Sequence, residues 1–204
     1  MKLFVRREDG RKGWRVAAGA GVLIFLIILM VAVASIYFAV VSQKSLYMLE
    51  YVEEISLYSQ EYGIDPYLVS AMIYCESTFR SDAVSSVGAT GLMQIMPDTG
   101  RWLAEKMGIK NFTAQMLYRP SVNIEMGCYY MKFLSDRYGG NIQNAVAAYH
   151  SGQGRVDGWL KDPAISDDGK NLHNIPEGET RKYTQRVMKV HEIYKKLYKD
   201  SFQQ

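Results

Sequence analysis

The chain has 204 residues, of which 48% are apolar and 22% charged, and its formal net charge at pH 7 is +3. This length fits one domain and an appendage, and the apolar share is sufficient for a sizeable core. The small net charge and the lack of a recognition motif argue against a nucleic-acid partner. The two cysteines and three histidines show no metal-ligand spacing, so the sequence predicts neither a metal nor a cofactor.

Residues 16–41 contain no charged side chain. As a helix they would extend about 39 Å, which exceeds the ~30 Å hydrocarbon core of a bilayer. The apolar region of a cleaved signal peptide is shorter, roughly 7–15 residues, although Ala32-Val33-Ala34 imitates a cleavage site. The segment therefore predicts an uncleaved transmembrane anchor held in the lipid bilayer.

Basic residues on the two sides of this segment predict its orientation. Six lie within residues 1–15, whereas only Lys44 follows the apolar segment closely. By the positive-inside rule, residues 1–15 stay in the cytoplasm and the remaining chain lies outside the cell membrane, in an extracellular or periplasmic location. Residues 42–45 are predicted as a short linker, residues 46–199 as the folded domain and residues 200–204 as a tail.

Within the domain, Glu76 lies on the apolar face of a predicted helix. Asp65-Pro66 is a typical helix start, because aspartate caps the helix and proline fits its first turn. At about 100° per residue, the Glu76 position lies inside the arc formed by apolar residues: Leu68, Val69, Met72, Cys75 and Phe79. Burial of a carboxyl group raises its pKa, and a neutral carboxylic acid is what general-acid catalysis requires. The alternative is a helix-end glutamate that turns outward and is solvated.

Further helices are predicted over residues 46–62, 97–107, 121–138, 141–150 and 179–198, the last with an apolar face of Tyr183, Val187, Val190, Ile193, Tyr194 and Leu197. Residues 78–90 and 161–174 are polar and irregular, and no alternating strand pattern appears. The domain is therefore predicted to be all-α. In the apolar run 91–97, Gln94 must either find buried partners or face a ligand.

Four separated motifs occur in order along about 150 residues. The first is Glu76-Ser77 followed by Gly91-Leu-Met-Gln-Ile-Met-Pro97, and the second is Asn-Ile-x-x-Gly at 123–127. The others are Ala-Ala-Tyr-His-Ser-Gly at 147–152 and Ile-Pro-Glu-Gly-Glu-Thr-Arg-Lys-Tyr at 175–183. Together they resemble the Slt-type lytic transglycosylase domain of the goose-type-lysozyme-like superfamily. The resemblance implies a lysozyme-like helical fold and an enzyme that acts on peptidoglycan glycan strands.

The resemblance also implies roles for individual residues. Glu76 corresponds to the catalytic acid, and the positions implied in binding the substrate or holding the acid are Ser77, Ser85, Met93, Gln94, Tyr149, His150 and Glu179. His150 departs from the family pattern, which has asparagine there. Gly127 falls inside a predicted helix, where glycine costs about 1 kcal/mol relative to alanine, so it is predicted to allow close helix packing.

The implied reaction cleaves the β-1,4 bond between N-acetylmuramic acid and N-acetylglucosamine, with one glutamate and substrate assistance, and leaves 1,6-anhydro ends. Most glycosidases use two carboxylates, and the sequence places no second one opposite Glu76. The alternatives are a hydrolytic lysozyme-type muramidase, a chitinase-like enzyme and a non-catalytic peptidoglycan-binding or assembly protein. The catalytic domain is expected to be monomeric. Cys75 and Cys128 are either free thiols or a disulfide.

Overall fold

The computed structural model describes residues 9–176 and 178–202, with side chains from residue 21 onward. Over this part of the chain it is all-helical, as predicted, and its only extended pairs are the isolated bridges Val84–Thr90 and Thr90–Ile95. The α-helices are α1 (Asp9–Leu46), α2 (Val52–Tyr62), α3 (Pro66–Ser77), α4 (Pro97–Met107), α5 (Pro120–Arg137), α6 (Ile142–Ser151), α7 (Gln153–Leu160) and α8 (Glu179–Leu197). A 3-10 helix, Ala114–Tyr118, precedes α5.

The chain divides into two compact units at Leu46 and Tyr47. In the first unit, the part of α1 from Gly21 to Leu46 is long and apolar enough to cross a membrane, judged by length and composition. The helix continues through residues 42–45, the predicted linker, because that stretch has no glycine or proline to end it. Residues 1–8 of the predicted basic segment and residues 203–204 of the predicted tail lie outside the described residues.

In the second unit, the predicted helix over 46–62 begins later, at Val52. Tyr51 immediately before it adopts the left-handed conformation, with φ 54°, and the preceding residues are irregular. Their carbonyl groups accept hydrogen bonds from the last helix and not from backbone N–H groups of a helical turn. The Tyr194 hydroxyl, for example, donates to the Met48 carbonyl. This side-chain contact from α8 is a physical reason for the late start of α2.

Helices α3 and α8 form the central pair of the domain. Asp65 caps α3, with Oδ1 accepting from the Tyr67 N–H at 2.9 Å. Oδ2 of the same carboxylate lies 2.7 Å from Nε2 of His191, a buried residue of α8. Burial alone would raise the pKa of Asp65, but the hydrogen bonds from His191 and Tyr67 outweigh it, and the pKa is lowered. The N-terminus of α3 is thus fixed to α8.

Helix α5 packs against α2 and α6 and brings Gly127 against the loop that precedes α4. A Cβ atom at Gly127 would overlap the side chain of Met93, including its sulfur. Met93 itself is fully buried. Gly127 does allow a close approach, as predicted, but the neighbour that it admits is Met93 of the loop and not a second helix.

We expect Gly127→Ala to lower the free energy of unfolding by about 1–3 kcal/mol, because overpacking in a filled core outweighs the gain in helix propensity. Gly158 in α7 is the matched control, since a Cβ there meets no atom of the described residues within 4 Å. Gly158→Ala should leave stability unchanged or raise it by up to about 1 kcal/mol. Denaturant unfolding of the full chain in detergent, followed by tryptophan fluorescence, measures both, and equal effects would contradict the packing role.

Candidate active site

Glu76 occupies the last turn of α3. The helix ends immediately after it, because Thr78 and Phe79 both adopt the left-handed conformation, with φ 53° and 61°. Residues other than glycine rarely adopt this backbone conformation, and each such residue costs about 1–3 kcal/mol. Phe79 is nevertheless buried. Core packing of Phe79 therefore supports a sharp turn that leaves Glu76 at a helix end.

The Glu76 carboxyl is half-buried, and burial raises its pKa to about 7. Two groups act in the opposite direction: hydrogen bonding to Tyr183 and the positive charge of Arg186. No second carboxylate among the described residues contributes to this shift. The raised pKa expected from the helical pattern is confirmed, and Glu76 is partly protonated at neutral pH.

Both opposing groups come from α8. The Tyr183 hydroxyl is buried and has no hydrogen bond of standard geometry to any described residue. The Glu76 carboxyl is nevertheless near enough to raise the pKa of Tyr183, together with burial. Arg186 lies one helical turn further on, with Cζ 5.9 Å from the centre of the Tyr74 ring. The sequence predicts only that Tyr183 faces inward, and it predicts no role for Arg186. The motif at 175–183 was the available signal for Tyr183, and nothing in the pattern indicated Arg186.

Three side chains from separate helices converge on Leu92 and Met93. The buried Ser77 hydroxyl donates to the Leu92 carbonyl at 2.8 Å. The Met93 N–H donates to Asn123 Oδ1 at 2.7 Å, and the Tyr149 hydroxyl donates to the Met93 carbonyl at 2.9 Å. Burial and the nearby Glu76 charge raise the pKa of Tyr149 well above its usual value. Ser77, which follows Glu76, and Tyr149, which is near it, thus both bind the backbone of the loop at Leu92 and Met93.

Asn123 is a further residue of the site, and the sequence pattern alone predicts no role for its side chain. Its side chain is fully buried in α5, and Nδ2 donates to the Thr90 carbonyl at 3.0 Å and to the Leu117 carbonyl at 2.8 Å. Together with the bond to Met93, these contacts fix the loop before α4. A polar residue on the buried face of a helix needs such partners, and that was the available signal.

Gln94 and Ser85 both make hydrogen bonds within this loop. Gln94 adopts φ 49°, and its Nε2 donates to the carbonyls of Ala83 at 3.1 Å and Gly91 at 2.9 Å. Both amide hydrogens are thereby engaged, which leaves Oε1 for any ligand. The Ser85 hydroxyl accepts from the Ala89 N–H at 3.0 Å and closes a turn. These contacts shape the loop, and contact of either residue with a saccharide stays a prediction.

His150 and Glu179 lie at the edge of the site, and both are exposed. Nδ1 of His150 is 3.1 Å from Thr180 Oγ1, and its ring stacks on Tyr183 with the ring centres 4.6 Å apart. Burial of part of the ring lowers the pKa of His150. Glu179 begins α8, where a carboxylate complements the helix dipole, and it pairs with Lys182 at 3.0 Å.

Cys75 and Cys128 are free thiols, and burial raises the pKa of each to about 12. Both thiols are therefore protonated and weakly reactive at neutral pH. Among the described residues, no group of three or more histidine, cysteine, aspartate or glutamate side chains could hold a metal ion.

A cavity of about 500 Å³ lies on the other face of α8. Its lining includes Gln143, Arg181, Gln185 and Met188, but not Glu76. At about 100° per residue, these α8 positions lie opposite Tyr183 and Arg186. Helix α8 therefore separates this cavity from the acid.

We expect Glu76→Gln to stabilise the protein at pH 8 by about 2–3 kcal/mol and to have little effect at pH 4. A neutral amide avoids the buried charge, and each tenfold change in proton affinity corresponds to about 1.4 kcal/mol. Because the folded pKa is raised, wild-type stability should fall as the pH rises from about 4.5 to about 7. Denaturant unfolding at both pH values measures this.

The matched control is Glu105→Gln, since Glu105 is exposed on α4. This variant should shift stability equally at the two pH values. A pH-independent effect of Glu76→Gln would contradict a buried, raised-pKa acid.

The family model for the transglycosylase SLT domain matches residues 53–171. The soluble lytic murein transglycosylase of Salmonella typhimurium is 32% identical over 149 residues, which are 72% of this chain and 23% of that protein. The membrane-bound lytic murein transglycosylase C of Actinobacillus pleuropneumoniae is 32% identical over 168 residues, with 71% of this chain and 46% of that protein covered. This chain therefore matches less than half of the length of either relative.

Among solved structures, the 70-kDa soluble lytic transglycosylase of Escherichia coli superposes with a TM-score of 0.69 at 28% identity, over 78% of this chain and 26% of that one. A complex of the 70-kDa soluble lytic transglycosylase with bulgecin A gives the same values. The predicted lysozyme-like fold is confirmed by this similarity. Since the family model matches more than half of its residues, the chain belongs to the transglycosylase SLT domain family.

Proposed function

We propose that this protein is a membrane-anchored lytic transglycosylase that cleaves the β-1,4 bond between N-acetylmuramic acid and N-acetylglucosamine in peptidoglycan. The observation that carries the proposal is the Glu76 carboxyl, with its pKa raised to about 7 at the end of α3. Its relatives are lytic murein transglycosylases by name. Glu76 is the catalytic residue in this proposal.

In the first step, neutral Glu76 protonates the glycosidic oxygen while the bond to the muramyl C1 breaks. A proton donor is most effective when its pKa lies near the working pH, and a pKa of about 7 meets this condition. The muramyl N-acetyl carbonyl stabilises the developing positive charge at C1. This substrate assistance is a recognised exception to the two-carboxylate rule.

In the second step, the muramyl C6 hydroxyl attacks C1 and gives its proton to the Glu76 carboxylate. The product is a 1,6-anhydromuramyl end, and Glu76 is again protonated. One carboxyl group suffices for both steps. The groups that shift its pKa support this reading, because they are a tyrosine and an arginine and no second carboxylate of the described residues is among them.

The loop before α4 offers the surface on which the glycan would lie. Ser77, Asn123 and Tyr149 fix its backbone at Leu92 and Met93. Gln94 retains Oε1 for an N-acetyl sugar, whereas Met93 is fully buried with its N–H and carbonyl already bound, and it shapes the loop beneath that residue. Ser85 shapes the loop, and Glu179 would face the peptide side of the substrate.

We further propose that α1 anchors the enzyme, with the N-terminus in the cytoplasm and the catalytic domain outside the membrane. The part from Gly21 to Leu46 has the required length and composition, and the relative from A. pleuropneumoniae is membrane-bound by name. The distribution of basic residues supports the orientation. The catalytic domain acts as a monomer on glycan strands and uses no metal, cofactor or nucleic acid.

Glu76→Gln is expected to lower the turnover of purified peptidoglycan by at least about 10³-fold, because it removes the only proposed acid and base. Binding of glycan and of bulgecin A should persist. Product mass spectrometry on the wild type should find anhydromuramyl ends, which weigh one water less than hydrolysed ends. Wild-type turnover should also fall above pH 7, as Glu76 loses its proton.

Asp82→Asn is the matched control, because Asp82 is an exposed acid in the loop that follows Glu76. It should leave turnover within about twofold of wild type. Hydrolysed ends would instead identify a muramidase, and cleavage of a polymer without muramic acid would identify a chitinase-like enzyme. Binding without cleavage by the wild type would identify a binding or assembly protein.

The topology is tested with epitope tags at the two ends of the full chain in bacterial cells. Protease added to spheroplasts should remove the C-terminal tag and leave the N-terminal tag intact, while both tags fractionate with membranes before digestion. Replacing the basic residues of 1–15 by glutamine should weaken this orientation. Protection of the C-terminal tag in the wild type would contradict an external catalytic domain.

A further inference from the structure

His150 stands where the family pattern has asparagine, and its two contacts both involve α8. Its Nδ1 is 3.1 Å from the hydroxyl of Thr180, a buried residue. Its ring stacks on Tyr183, with a centroid distance of 4.6 Å and an interplanar angle of 27°. Thr180 and Tyr183 are three residues apart on the helix, so they present neighbouring side chains to one imidazole.

Tyr183 is the residue whose orientation matters for the acid. Its hydroxyl is buried, and although it has no hydrogen bond of standard geometry within the described part of the chain, the nearby carboxyl is that of Glu76. A tyrosine hydroxyl moves when its ring tilts, so the face of the ring must be held if the hydroxyl is to stay beside Glu76. His150 covers one face of this ring, and its bond to Thr180 fixes the imidazole.

We infer that His150 is a positioning residue that holds the Tyr183 hydroxyl against the Glu76 carboxyl. This role differs from the saccharide contact that the family pattern implies for this position. A neutral imidazole suits it, and burial does lower the pKa of His150, with the charges of Glu179 and Arg155 acting in opposite directions. The inference about turnover rests on the proposed function, whereas the effect on Glu76 does not.

The test is a double-mutant cycle of His150→Ala and Tyr183→Phe in the full chain in detergent. The first readout is the pKa of Glu76, measured by NMR on protein labelled with ¹³C-glutamate and assigned by comparison with Glu76→Gln. His150→Ala should raise this pKa, because hydrogen bonding to Tyr183 normally lowers it. In the Tyr183→Phe background, the same substitution should cause no further change.

The second readout is kinetic. His150→Ala should lower kcat on peptidoglycan about tenfold and leave KM within about twofold, since the loss falls on the acid and not on substrate binding. The loss should shrink to less than about twofold in the Tyr183→Phe background. Thr180→Val should produce a smaller effect of the same kind, because it removes the imidazole's partner but keeps the stack.

His150→Phe is a second variant in case His150→Ala does not fold, because it keeps an aromatic ring over Tyr183. In this variant the pKa of Glu76 should stay close to the wild-type value. His173→Ala is the matched control, a substitution of an exposed histidine outside this cluster, and it should change neither readout. The inference is overturned if His150→Ala raises KM alone, leaves the pKa of Glu76 unchanged and acts equally in both backgrounds. If the wild type cleaves no peptidoglycan, the proposed function fails, and the NMR cycle still decides the role of His150.

Discussion

The site depends on the packing of α3 against α8. At one end of the pair, the carboxylate that caps α3 binds His191 of α8 at 2.7 Å. At the other end, Glu76 of α3 meets Tyr183 of α8. Since the N-terminal residue of α3 contacts the later part of α8, and its C-terminal residue the earlier part, the two helices are antiparallel. Polar contacts at both ends fix their register, and that register decides which α8 side chains reach the acid.

The loop before α4 is fixed by a second set of contacts, which comes from three different helices. Ser77, Asn123 and Tyr149 belong to three motifs and lie more than 20 residues apart in the sequence, yet their hydrogen bonds end on Leu92 and Met93. Gly127 adds a packing constraint on the same Met93 side chain. Residues of the separate motifs therefore act on the same feature, a loop whose backbone is hydrogen-bonded from several sides. This explains why a loop with several strained residues can hold one conformation.

Much of this arrangement follows from local pattern. The period of α3 predicted both the placement of Glu76 among apolar residues and the direction of its pKa, and helix ends at Gly63 and Gly108 are simple stop signals. The contacts across the fold do not follow from local pattern. On α8, the buried face includes Thr180, Thr184 and His191, whereas Ile193 and Leu197 are only half-buried. A prediction from apolarity alone was therefore wrong about which of these side chains are most buried. Each buried polar residue has a hydrogen-bond partner far away in the sequence or on the preceding turn.

For a mechanism in which one carboxyl group acts first as acid and then as base, the balance of forces on Glu76 matters more than burial alone. Burial favours the protonated form of Glu76 and would by itself hinder formation of the carboxylate that must act as the base. Tyr183 and Arg186 favour that charged form. A pKa of about 7 is the result of this opposition. Both opposing groups lie on one face of α8, and the tyrosine is covered by His150. In the proposed mechanism, the histidine that stands where the family pattern has asparagine therefore acts on the proton of Glu76 through Tyr183.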